Sequence, residues 1–127
     1  MIVSALPSLE TTRRVAAKSG GCGIVTSALT LVEIAKLKGL TATDEDKEAL
    51  IEKAFENEYI SVRNVDRFVA ERARHIVRKC AVEPPDAIHL ATAILMDAHV
   101  MQTFDNGLIK LTGLDELGGL RIEEPEV

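Results

Sequence analysis

Residues 87–98 are apolar nearly all round, and Pro84-Pro85 stands just ahead of them. Proline is at home in the first turn of a helix and costly further in, so the pair marks where a helix begins. A helix without a polar face has to be covered on more than one side. The segment therefore predicts a central helix with other elements packed around it.

The rest of the chain supplies those elements. Residues 1–6 are apolar and read as the end of a strand or the start of a helix, and Pro7 breaks the run. Residues 9–18 predict a short helix closed by Ser19-Gly20-Gly21, and residues 23–26 a short buried strand. Ser27 suits the N-cap of a helix over 28–38, ending at Gly39. Thr43 and Asp46 open a helix over 44–57, and residues 59–62 form a strand candidate. Asn64 is placed to cap a long helix with an apolar stripe of Val65, Phe68, Val69, Ala73, Ile76, Val77 and Cys80, close to a 3.6-residue period. Beyond the central helix, residues 100–104 read as a strand, Asp105-Asn106-Gly107 as a turn, 108–111 as a short helix, and 120–122 as a last strand. Helices alternating with short apolar strands predict an α/β fold, a three-layer α/β/α sandwich around a short parallel central sheet.

At 127 residues the chain fits a single domain over residues 1–127, with enough surface buried for a core without staples. Its three phenylalanines, one tyrosine and absent tryptophan make that core aliphatic and leave no aromatic platform for stacking bases. The formal net charge of −5 excludes a broad basic face, so any nucleic-acid contact has to be local. Cys22 and Cys80 match no metal or redox spacing and read as buried small hydrophobes of a reduced compartment. With no apolar run near the length of a membrane span and no signal-peptide pattern, the expectation is a cytoplasmic protein without a membrane partner.

There is no glycine-rich phosphate loop, nucleophile elbow or His-Glu-x-x-His. What stands out is carboxylates set in apolar surroundings: Glu33 inside residues 29–35, Asp86 opening the central helix, and Asp105 after the strand at 100–104. Each also has a plain structural role. Glu33 falls on one helical stripe with Thr30 and Lys36 and so faces water. Asp86 complements a helix dipole, and Asp105 forms an Asx-turn or a cap. Taken in order, though, they sit at element ends where open α/β sheets place ligands. Converging there, they would offer hard oxygen donors to Mg²⁺, which activates water and offsets charge on a phosphate.

The stretches Ile24-Val25-Thr26-Ser27-Ala28-Leu29-Thr30-Leu31-Val32-Glu33, Pro84-Pro85-Asp86-Ala87-Ile88-His89-Leu90-Ala91-Thr92-Ala93 and Thr103-Phe104-Asp105-Asn106 resemble successive motifs of PIN-domain proteins of the VapC-like ribonuclease type. Order and separation match as well, from about Met1 to Pro125. The resemblance implies an α/β/α sandwich, RNA hydrolysis dependent on Mg²⁺ or Mn²⁺, a small antitoxin protein as partner, and a homodimer. It also implies Glu33, Asp86 and Asp105 as the catalytic and metal-site acids, with the Thr103 hydroxyl supporting them.

One feature of that family is missing. Its first strand ends in an aspartate followed by a small residue, whereas here no acid precedes Glu10, and residues 1–6 resemble the segment just after that aspartate. The expectation is an N-terminal strand that begins upstream, and little or no RNA cleavage by the chain as given. His89, one turn after Asp86, is a candidate contact to the scissile phosphate or a hydrogen-bonded, partly buried histidine. Arg67, Arg74 and Arg78 share the polar side of the long helix with Glu71, as a candidate track for the RNA backbone or a solvated face with internal ion pairs. A metal-dependent endoribonuclease, the toxin of a pair, is the leading function. An impaired PIN-like module that binds RNA or protein is the alternative, followed by a structural dimerisation domain.

Overall fold

The computed structural model describes residues 3–5, 23–33, 49, 56 and 60–124. The helix expected over 9–18, most of that over 44–57, Cys22, and the end of the helix expected over 28–38 lie outside the described residues. The described elements are β1 (Val3–Ala5), β2 (Ile24–Ser27), α1 (Leu29–Glu33), β3 (Ile60–Arg63), α2 (Arg67–Cys80), α3 (Pro84–Leu95), β4 (Val100–Gln102), α4 (Asn106–Ile109), a 3₁₀ turn (Asp115–Leu117) and β5 (Arg121–Glu123).

The strands form one sheet in the order β3-β2-β1-β4-β5. The β2/β3 and β4/β5 pairs are parallel, while β1 runs antiparallel to both β2 and β4. The α/β class stands, but the sheet is not parallel at its centre. An antiparallel β1 leaves the sheet at Ala5, opposite Ile24, the edge at which β2 enters, so no crossover has to return the chain. The C-terminal ends of β2 and β4 still share one edge, because both oppose β1.

Helix α3 lies between the sheet and α2: it packs on β1, β2 and β4 below and most extensively on α2 above. That position explains its all-round apolar character. Ala87, Leu90, Ala91 and Ala93 of α3 join Val69, Ala73 and Ile76 of α2, Met101 of β4, Leu108, Leu117, Leu120 and Ile122 in one buried cluster. The core is aliphatic, as the shortage of aromatics required. Each fully buried Leu, Ile or Val contributes roughly 1.5–3 kcal/mol.

Several boundaries differ from expectation. Helix α2 is capped by Asp66, not Asn64: the Asp66 carboxylate accepts from the Val69 N–H at 3.0 Å and is held by Arg63 at 3.0 Å. That hydrogen bond, against a partial desolvation that raises it and with the nearby Arg63 charge helping, holds the Asp66 carboxyl below its ordinary range. Because the helix starts at Arg67, Val65 falls ahead of it, and Val65 and Phe68 are exposed rather than part of the buried stripe. Helix α2 ends at Ala81, whose left-handed conformation (φ 54°) turns the chain toward α3. Strand β4 is shorter than residues 100–104, leaving Phe104 exposed, and β5 spans Arg121–Glu123 rather than 120–122. Among the described residues no helix is long and apolar enough to cross a membrane.

Candidate functional site

At the C-terminal end of β2 two hydroxyls fix the helix that follows. The Ser27 Oγ accepts from the Leu29 N–H at 3.1 Å. Ser27 ends β2 and α1 begins at Leu29, so the serine shapes the turn into the helix instead of standing directly ahead of it as the expected N-cap. The hydroxyls of Thr26 and Thr30 meet at 2.7 Å, both buried. Thr30 is therefore not on a solvent stripe with Glu33 and Lys36; it anchors α1 to the sheet, and Lys36 lies outside the described residues. So anchored, α1 carries Glu33 to His89 of α3, whose Nε2 stands 2.5 Å from Glu33 Oε1. The His89 side chain is 1% exposed and that of Glu33 39%. His89 is thus the hydrogen-bonded, buried histidine of the two readings its sequence context allowed.

Asp86 occupies the first turn of α3, after Pro84 and Pro85, and is half-buried. A helix N-terminus favours a negative charge, yet the Asp86 carboxyl is pushed above its ordinary range. Burial is the main cause, and the neighbouring charge of Asp105 adds to it. His89 opposes the shift, while Glu33 and Glu83 add smaller pushes upward. Two acids distant in sequence therefore act on a third.

Asp105 follows β4. Thr103, buried, accepts the Asp105 N–H on its Oγ1 at 3.1 Å and gives its own N–H to the Glu123 carbonyl, which ties the segment to the end of β5. The expected turn at 105–107 and helix at 108–111 resolve into one earlier helix, α4, with Asp105 as its N-cap. Asp105 Oδ1 accepts from the N–H groups of Gly107 (2.8 Å) and Leu108 (3.3 Å). A Cβ at Gly107 would come within 3.1 Å of that oxygen, so glycine keeps the cap open.

Asp86 and Asp105 line a common cleft of about 240 Å³, walled by Cys80, Ala81, Val82, Gly107, Leu108 and Leu111. Sequence reasoning placed neither the 80–82 segment nor its cysteine at the site. Only the short connection between α2 and α3 could have hinted at it. Cys80 is half-buried, and burial, then the charge of Glu116, push its thiol up, which keeps it protonated. Glu33 does not line the cleft. Among the described residues no three of His, Cys, Asp and Glu form a group able to hold a metal ion. Two carboxylates on one cleft nonetheless suit a hard divalent cation, since Mg²⁺ keeps several waters and needs only one or two carboxylates. Arg67 is exposed and paired with Glu71 at 2.8 Å, and Arg74 and Arg78 are exposed on the same helix; none of the three lines the cleft.

Residues 2–114 match the PIN domain family. The chain belongs to that family. No curated protein and no solved structure matches it at a significant level. A PIN domain is a nuclease-type fold, and PIN nucleases generally use divalent metals and bind RNA. The small α/β architecture fits that assignment. In this PIN domain Asp105 follows the end of β4, on the sheet edge that the C-terminal ends of β2 and β4 share, and Asp86 lines the same cleft.

Proposed function

We propose that the chain is an endoribonuclease dependent on Mg²⁺ or Mn²⁺ and the toxin component of a toxin–antitoxin pair, built as one PIN-like domain over residues 1–127. The observation that carries this reading is the pair Asp86 and Asp105, brought from two elements to one cleft, with Asp105 helping to raise the Asp86 carboxyl. Repulsion between neighbouring carboxylates is what a bound cation relieves. In this reading Asp86 and Asp105 hold the ion, and Thr103 fixes the backbone of Asp105. Glu33, bonded to His89 and not part of the cleft wall, is the third acid, and exposed Arg74 and Arg78 meet RNA phosphates, with Arg67 alongside. The ion supplies charge neutralisation at the scissile phosphate and an activated water. The partners that follow are an RNA substrate, an antitoxin protein and a second copy of the chain, in the cytoplasm. That part rests on the resemblance of the three motifs to VapC-like ribonucleases.

The test is cleavage of a mixed-sequence RNA with Mn²⁺, with chelator, and with Asp86→Asn or Asp105→Asn. Slow cleavage, read with protein in excess over RNA, that chelator stops and either substitution reduces at least tenfold further, about 1.4 kcal/mol in the barrier, is the expected result. A second reading has its own observation: no three-residue metal group exists among the described residues, and the strand-end aspartate of the resembling family is not found in residues 1–6. On it the domain binds RNA or protein without cutting. RNA retained in a filter assay but left intact under every metal condition would favour this module.

A further inference from the structure

We infer that His89 is the positioning residue of the acidic site: it clamps Glu33 by one carboxylate oxygen, keeping that acid out of direct metal contact and in place to orient water. The inference deepens the ribonuclease reading and rests on it.

The geometry gives the contact a direction. His89 is 1% exposed and belongs to α3, which is held between the sheet and α2. Glu33 is 39% exposed, on α1. The imidazole is the fixed partner and the carboxylate the one being placed. An ionised carboxylate only accepts, so the Nε2 of His89 carries the proton and donates it, a charge-assisted bond that uses Oε1 and leaves Oε2 for another donor. Asp86 lies three residues before His89 on the same helix, so one rigid element sets both Asp86 and the anchor of Glu33. Asp86 and Asp105 line the cleft and Glu33 does not. Because Glu33 is not part of the cleft wall, its free Oε2 would be left to hold a water beside a cation bound there rather than the cation itself. A buried imidazole needs a partner in any case, so the test has to separate placement of Glu33 from packing.

The first measurement uses the metal-free protein. A slowly exchanging, strongly downfield His89 ring N–H signal in the proton NMR spectrum, lost in Glu33→Ala, is expected; its absence from the parent overturns the clamp. The second uses Mn²⁺ affinity and single-turnover RNA cleavage with protein in excess, so that slow rates are still read. His89→Leu should lower the rate by about 10- to 100-fold, the usual cost of losing a group that orients a site. Its Mn²⁺ affinity and RNA half-saturation should stay as in the parent. His89→Gln, whose amide N–H can serve the same oxygen, should recover most of the rate, even where both variants melt earlier. Rates that fall equally in both variants, in step with their melting temperatures, overturn positioning in favour of packing. A Glu33→Ala protein that loses Mn²⁺ affinity as far as Asp86→Asn does overturns the water-mediated role. A parent that shows the ring proton and binds Mn²⁺ yet cuts no RNA overturns the ribonuclease reading instead, and the clamp then stands or falls on the Mn²⁺ affinities of the variants.

Discussion

Asp86 shows how one residue reports on its neighbours. Its folded-state carboxyl binds a proton more tightly than its ordinary value of 3.8 implies, first because it is buried and next because Asp105 is close. A raised carboxyl pKa means that the ionised group opposes folding. The opposition is absent below about pH 3.8, grows as pH rises toward the folded-state value, and is complete above it. Asp86→Asn should therefore raise urea stability at neutral pH without metal, leave it little changed in acid, and weaken the stabilisation that Mn²⁺ gives the parent. A variant less stable at neutral pH, with its Mn²⁺ response intact, would show that the carboxylate serves the helix dipole. Asp66 has the opposite sign: its lowered carboxyl favours folding above its ordinary range, and that support is lost as pH falls.

At the scale of elements, α2 shows what the sequence carried and what it did not. The 3.6-residue spacing found the buried face at Val69, Ala73 and Ile76, because a helix packed on α3 repeats its contacts with every turn. It overreached at the N-terminus. Phe68 is turned about 100° from Val69, away from α3, and Val65 precedes the first turn. Phe68→Ser should thus change stability by less than about 0.5 kcal/mol, whereas Ile76→Ala should cost about 2–5 kcal/mol, both read from urea midpoints at constant slope. A large loss from Phe68→Ser would place that ring in a contact beyond the described residues. The site divides along the same line. The cleft pair could be singled out because Asp86 stands in a first helical turn and Asp105 just after a strand, positions that a local pattern marks. The Glu33–His89 bond, between residues 56 apart, and the cleft wall at 80–82 were not, because nothing in a local pattern encodes a meeting across the fold.

For the whole molecule, a formal charge of −5 and an acidic cleft limit how RNA can be held. Among the described residues the cleft wall carries no Lys or Arg, so few counterions are released on binding there. The logarithm of the RNA association constant should fall against the logarithm of salt concentration with a slope no steeper than about −2, the value for roughly three phosphates on single-stranded RNA. A much steeper slope would require a basic surface beyond the described residues. The sheet has a practical consequence as well. Val3 at the start of β1 and Glu123 at the end of β5 both sit opposite Gln102, one residue from Thr103 and on the edge where the acids stand. A polyhistidine tag joined directly to Val3 or Glu123 would start on the same edge, with imidazoles competing for the Mn²⁺ ions added. Purified protein with its tag still attached would report the affinity of its own handle, and only tag-free material can show what the carboxylates bind.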